Sequence, residues 1–395
     1  MAARTRLAVA AGAVAAGALA LTRPALDRAV ARAERKHNPT PSQSSAPVPG
    51  RARELHSTLR VADLHADSLL FGRDLLVRGD RGHVDVPRMI EGRVALQVLS
   101  CAMKVPRHFN IERNEDSSDD VLAIAVASRW PPRTWRSILA RALHMAERAR
   151  AFAARSGGIF RLIETRDALQ AYLAERDADP TITAGLLSIE GATALDGDPA
   201  NVDVVADAGF RMISPAHLTD TEFGGSAHGT VQGGLTGAGH VMVRRMEARR
   251  VILDLAHASS ATIDDALEIS TRPVVASHTG VKGVVDNARN LPDAQLIGVA
   301  ATGGLVGIGF WPQACGGPGA ADIARSIAYA VERIGPDHVA LGSDWDGAVP
   351  VPFDAAHVDR LTDALLEVGL DEATIRAVMG ENVLRLLGDV LPAGV

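Results

Sequence analysis

From about residue 51 the chain alternates short apolar or β-branched runs with longer stretches in which apolar positions recur at helical spacing. Runs of about four to eight apolar residues bounded by polar or glycine-rich sequence read as buried strands. Eight are legible: around Val61, then Val94–Ser100, Ala184–Ile189, Arg211–Pro215, Val251–Leu255, Pro273–Ser277, Gly304–Gly309 and Val339–Gly342. Helical patterns lie between them at Arg133–Arg155, Ala200–Ala208, Val241–Arg249, Ser260–Ile269, Ala320–Ile334 and Ala355–Val368, and a last helix is expected over Asp371–Leu387. Strand and helix in alternation predict βα units around a parallel sheet, and eight strands close a (β/α)8, or TIM, barrel. The segment Cys101–Arg161 is too long for a simple crossover. With its charged start at Lys104–Asp120 and the helical pattern after it, it predicts a helical insertion after strand 2, serving either to cover a site or mediate association, or as a solvated excursion.

The first fifty residues follow a different pattern. Arg4 and Arg6 precede an apolar run, Leu7–Leu21, in the layout of an export signal or membrane anchor over residues 1–25. Ala18-Leu19-Ala20 offers a cleavage site, but Arg23, Arg28, Arg32, Arg35 and Lys36 follow, and basic residues there disfavour translocation of that flank. The expectation is an exported protein, either anchored by this segment or secreted, with cleavage undecided. Residues 26–50 are basic and then rich in Pro and Ser, which predicts a linker, and 51–395 is expected to be the (β/α)8 catalytic domain.

Composition narrows the function more than the fold. A formal charge of -6 leaves no basic footprint, so nucleic acid is not an expected partner. The two cysteines, Cys101 and Cys315, form no closely spaced pair, which argues against a thiolate metal site or a disulfide framework and favours two buried free thiols over one long-range bridge.

The candidate chemistry lies at the strand ends. Strand 1 runs into His65 and Asp67 within RVADLHADS, and residues two apart on an extended chain face the same side. Reading on, LLSIEGA ends in Glu190, ISPAHLT in His217, ILDLAHAS in His257, VVASHTG in His278 and ALGSDWDG in Asp344. In a parallel barrel all of these reach the carboxyl-terminal rim, where the βα loops begin. Imidazole and carboxylate without thiolate suit zinc or a similar divalent ion in an open site. One carboxylate can bridge two such ions, which then lower the pKa of a shared water toward neutrality. Asp346 rivals Asp344, because it too follows the last strand, although before Gly347 it reads equally as a turn residue bonding backbone.

LHAD, IEGA, AHLT, DLAHAS, VVASHTG, NARNLPD and GSDWDG, in this order from about residue 60 to 385, resemble the membrane dipeptidase (renal dipeptidase) family, zinc metallopeptidases related to the amidohydrolases. The resemblance implies a TIM barrel holding two zinc ions, His65 and Asp67 on one, His257 and His278 on the other, with Glu190 bridging both and so taking part in catalysis. It implies that His217 meets the scissile carbonyl or its oxyanion, that Arg289 takes a carboxylate of the dipeptide substrate, and that Asp344 is the acid/base for a metal-bridging hydroxide. The mammalian members carry disulfides and a C-terminal lipid-anchor signal. No matching cysteine set is present and the tail LPAGV lacks a hydrophobic run, so membrane attachment is expected through the N-terminus. The glycine-rich stretch Glu222–Gly239 resembles bacterial members and is expected to be a mobile loop beside the site with His228 solvated. Two other functions stay open from sequence: a dinuclear-metal amidohydrolase acting on another amide, a lactam or an N-acyl amino acid, and a non-catalytic surface binding protein. Homodimerisation is likewise open.

Overall fold

The computed structural model describes residues 25–41 and 47–394. Among the described residues nine strands form, all paired in parallel: β1 Val61–Ala66, β2 Val94–Leu99, β3 Phe160–Leu162, β4 Thr183–Ile189, β5 Phe210–Ile213, β6 Ile252–Leu253, β7 Val275–Thr279, β8 Leu305–Ile308 and β9 Val339–Leu341. The ladder runs β6-β5-β4-β2-β1-β9-β8-β7. Its two ends meet through a parallel bridge between Asp254 and Val275, where Leu255 N donates to Val275 O at 2.6 Å. The eight expected strands therefore close a (β/α)8 barrel. Every residue of those eight is buried, because helices cover the outer face while side chains fill the inside, which is why these runs read as continuously apolar.

The insertion after β2 is helical, as its pattern predicts, with helices at Asp120–Ala127 and Ile138–Arg155 joined by a 3-10 turn at Pro132–Trp135. Ser137 caps the long helix by accepting from Ala140 N. The short strand β3 and the helix Arg166–Ala178 that follow were not expected. Since β2 occupies one edge of β4 along Ala184–Leu187, β3 and β5 share the other: β3 pairs with Thr183–Gly185 and β5 with Leu187–Ile189. Three residues with one buried position carry too little pattern to be read as a strand.

The expected last helix is broken into Glu372–Arg376, a wide turn at Ala377–Glu381 and Asn382–Val390. A Cβ on Gly380 would lie 1.9 Å from Arg60 O, so glycine lets this turn close against the start of β1. Beyond it, Leu384 and Leu387 share a buried cluster with Ala62 and Leu64, while Asp63 and His65 alternate to the other side of β1.

The segment read as a linker, residues 26–50, is only partly so. Residues 25–37 are helical, and Glu34 and Asn38 are buried against the barrel. The ion pairs of Glu34 with Arg73 and Arg81 span 39 and 47 residues, which local composition cannot reveal. The leader over 1–25 lies, except for its last residue, outside the described residues. Among the described residues no helix is long and apolar enough to cross a membrane. Cys101 and Cys315 are both buried and unpaired.

Beside the backbone bridge, one carboxylate ties the barrel seam. Asp254 accepts from Ser277 N at 2.9 Å and Ser277 Oγ at 2.6 Å across the β6–β7 junction, and from Ala256 N at 3.0 Å. Replacing it by alanine strands buried donors, so Asp254→Ala should lower stability by roughly 2–4 kcal/mol. Urea unfolding followed by far-UV dichroism checks this, and a loss below about 1 kcal/mol would show that the seam does not rely on it.

Candidate metal centre

Each polar group read at a strand end arrives at the same rim of the barrel. His65 leaves β1 fully buried, and Asp67 two residues on is tied by its own N–H to Trp345 O at 2.9 Å and by Oδ1 to Ala102 N at 3.2 Å. Glu190 follows β4 directly, its N–H bonded to Cys101 O at 3.1 Å. Gly191 comes next at φ +91, and a Cβ there would sit 2.9 Å from His217 Cβ. Glycine thus lets the loops after β4 and β5 approach, which places His217 Nε2 3.5 Å from Glu190 Oε2.

Around Glu190 Oε1 stand His257 Nε2 at 3.0 Å, His278 Nε2 at 3.3 Å and His65 Nε2 at 3.6 Å. His65 Nε2 is also 3.4 Å from Asp67 Oδ2 and 4.0 Å from Asp344 Oδ1. Three overlapping triads emerge, His65/Glu190/His278, Glu190/His217/His257 and His65/Asp67/Asp344, each with its ligand atoms within 4.8 Å of one another. Glu190 belongs to two of them and His65 to two. The triads group the histidines differently from the pairing that the resemblance implies, His65 meeting His278 and His217 meeting His257 across the shared carboxylate.

Two observations show that this donor set fits a divalent cation. First, His278 Nδ1 lies 2.9 Å from Ser277 Oγ, whose own hydrogen goes to Asp254 Oδ2. Ser277 must therefore accept from Nδ1–H, leaving the Nε2 lone pair free toward Glu190, as carboxylate-backed metal ligands are arranged. That lone pair faces His257 Nε2 at 2.9 Å, a contact that a shared cation satisfies. Second, ligands held about 2.0–2.1 Å from one tetrahedral zinc stand about 3.3 Å apart, within the spread of the distances above.

Electrostatics point the same way. Burial works against the positive charge on His65, but Glu190, Asp67 and Asp344 outweigh it and raise its pKa to about 10. Burial raises Asp344 to about 8, opposed by His65 and reinforced by Asp67. Glu190 is pushed well up by burial, with Asp67 and Asp344 adding to the effect against His65. His217, His257 and His278 are held well below the usual imidazole range by burial, with neighbouring positive groups adding to it. Three neutral imidazoles, beside acids so crowded that His65 keeps its proton among them, are the protonation pattern of a site made for a cation.

Arg289 is buried behind the centre, its guanidinium donating to His278 O and lying 5.8 Å from the Trp311 ring; burial lowers its pKa to about 10. Geometry also separates the two aspartates after β9. Asp344 turns to His65, whereas Asp346 accepts from Ser68 Oγ at 2.6 Å and His83 N at 2.6 Å and pairs with Arg73. Its backbone-bonding role is real, but to a distant loop and not to its own turn.

The glycine-rich loop departs from expectation. Asp220 organises it by accepting from Ser226 N at 2.9 Å and Val231 N at 2.8 Å, and His228, expected in solvent, is 2 % exposed. Its Nδ1 bonds Ile111 O at 2.6 Å and its ring lies 5.2 Å from that of His257. Asn114 N donates to His228 O at 2.7 Å, so the insertion after β2 closes over this edge of the site. Asp254 and Ser277 also escaped notice; ILDLAHAS and VVASH place them beside the histidines, but only the β6–β7 junction brings them together.

Known proteins share this architecture. The family model described as membrane dipeptidase, peptidase family M19, matches residues 50–393. The chain is 27% identical to dipeptidase tcpJ of Claviceps purpurea over 318 residues, 78% of this chain and 69% of that protein. Among solved structures, dipeptidase AC, a metallopeptidase of family M19, superposes with a TM-score of 0.67 at 26% identity, covering 85% of this chain and 100% of that one. A metallopeptidase from Rhodobacter sphaeroides, liganded with a phosphinate mimic of the dipeptide L-Ala-D-Ala, superposes with a TM-score of 0.67 at 25% identity, covering 84% and 99%. A match along nearly the whole folded region, on a barrel whose rim gathers a cation-binding set of histidines and carboxylates, establishes that this chain belongs to the membrane dipeptidase family of metallopeptidases, hydrolases of the peptide bond.

Proposed function

We propose that the protein is a zinc dipeptidase whose centre holds two ions, with Glu190 between them. The observation that carries this reading is the convergence of His65, His257 and His278 on the buried carboxylate of Glu190, with Asp67 beside His65. When bound, the ions polarise the scissile carbonyl and make hydroxide available at neutral pH. His65 and Asp67 serve one ion and His257 and His278 the other.

The remaining roles fall to groups on the rim. Asp344, on the rim with its Oδ1 4.0 Å from His65 Nε2, is suited to take the proton of the attacking water and return it to the leaving nitrogen. His217 is neutral and buried, its Nε2 3.5 Å from Glu190 Oε2, and it would meet the carbonyl oxygen as that atom gathers charge. Arg289 offers a planar fork for a substrate carboxylate, and its burial makes that pairing strong. The dipeptide mimic bound by the Rhodobacter sphaeroides protein supports a dipeptide as the substrate class. The basic-then-apolar layout of residues 1–25 supports export, the protein being either anchored through that segment or secreted.

Metal analysis of the purified protein should find close to two zinc ions per chain, and the loaded enzyme should hydrolyse free dipeptides in preference to N-acyl amino acids. Activity confined to the N-acyl compounds would replace the dipeptidase reading with that of another amidohydrolase. Asp344→Asn should lower kcat by about 100-fold or more with zinc content unchanged, and an unaltered rate would remove Asp344 from the acid/base role. Zinc affinity should rise with pH. At pH 7 the metal-free protein carries a proton on His65, whose pKa is about 10, and the ion must displace it. Each proton released makes the association constant climb roughly tenfold per pH unit, so between pH 6 and 8, measured against a competing chelator, the climb should be tenfold per unit or steeper, Glu190 and Asp344 adding to His65. A flat profile would show that binding displaces no proton and that the metal-free site does not hold His65 protonated.

A further inference from the structure

The segment preceding the barrel reaches the rim of the site. Within helical residues 25–37 and the residue after them, Glu34 and Asn38 are both 0 % exposed. Glu34 pairs with Arg73 through one carboxylate oxygen and with Arg81 through the other. Arg73, itself buried, passes the contact on by donating to Asp346 and to Val84 O. Asn38 grips the same loop directly, its Nδ2 donating to Asp346 O at 2.9 Å and its Oδ1 accepting from Ala348 N at 2.8 Å. His83 closes the circuit. Its Nδ1 accepts from Asp346 N at 3.0 Å, so its Nε2 carries the hydrogen and donates to Pro39 O at 3.0 Å. Glu34 and Asp346 against Arg73 and Arg81 make two negative and two positive charges, a balance that lets the group stay buried.

The loop so gripped is the one that carries Asp344. Asp344, Asp346 and Ala348 have φ of 58, 63 and 64, the left-handed region that non-glycine residues avoid. Between them a Cβ on Gly347 would lie 1.8 Å from Asp344 Oδ1. Three alternate residues in a disfavoured conformation persist only where surrounding structure over-determines them, and Glu34, Asn38 and Pro39 supply part of that hold.

We propose that the pre-barrel segment is part of the active site: Glu34 and Asn38 are positioning residues that, through Arg73 and Asp346, fix the loop at residues 343–348 and so set the carboxylate of Asp344 against His65. The inference rests on the acid/base reading of Asp344 for its effect on rate, but not for the clamp itself.

The test uses full-length, zinc-loaded protein carrying Asn38→Ala, which leaves the buried charges balanced, or Glu34→Gln, which keeps shape and loses charge. In both, kcat should fall at least tenfold with KM within twofold and zinc content unchanged. Glu34→Gln should retain more activity than Glu34→Ala; if Glu34→Ala fails to fold, Asn38→Ala carries the test. Amide hydrogen exchange should quicken at least tenfold across residues 343–349 and stay unchanged across 275–281. A segment that merely stabilised the fold would lower Tm and leave kcat and this local exchange alone, and that result overturns the proposal. Loss of zinc alongside activity overturns it too. If the wild type hydrolyses no dipeptide while Asn38→Ala still frees residues 343–349, the clamp stands and the dipeptidase reading falls.

Discussion

The constraint on which the molecule turns is electrostatic. Glu190, Asp67 and Asp344 share a buried rim with four imidazoles, and carboxylates this close cannot all ionise without a compensating cation. In the protein alone the compensation is protonation: His65 holds its proton far above the usual range, and Glu190 and Asp344 are pushed to do the same. A divalent ion replaces those protons with fixed charge, so the energy that disfavours the bare site becomes affinity for metal.

A site under such strain needs rigid walls, and the chain builds them from further buried acids. Asp63, one turn of the pleat before His65, accepts from Ser343 N at 2.7 Å, Ser343 Oγ at 2.8 Å and Gln97 Nε2 at 2.6 Å, joining β1 to β2 and to the loop after β9. Asp254 joins β6 to β7 and orients His278 through Ser277. Asp346 joins the loop after β9 to Arg73 and His83. Each of these carboxylates lies two or three residues from a group of the metal centre, so the supports and the ligands share the same loops. Buried polar groups that are fully bonded define one arrangement, because any shift strands a donor or acceptor.

Much of this was legible beforehand because the barrel writes a regular pattern. Strands buried on both faces appear as apolar runs, crossover helices appear at helical spacing, and polar residues ending the runs must share a rim. The eight strands, the insertion after strand 2 and the convergence of His65, Glu190, His257 and His278 follow from that regularity. What escaped is irregular or long-range: the short strand β3, the break near Gly380, the burial of His228 under Ile111 and the docking of Glu34 and Asn38. Residues rich in charge and proline read as linker from composition, since nothing local tells a solvated glutamate from one that will meet two arginines 39 and 47 positions away.

By itself, then, the sequence determined the fold class, the rim on which chemistry collects and the donor types gathered there, because these depend on periodicity and on side-chain identity at strand ends. Tertiary structure alone decided which groups touch. It made Glu190 the shared neighbour of four histidines, turned Asp344 toward His65 and Asp346 toward Arg73, and brought the pre-barrel segment to the loop that holds them both. Those choices rest on distances of a few ångströms between residues far apart in the chain, set by how the barrel closes and how its loops pack.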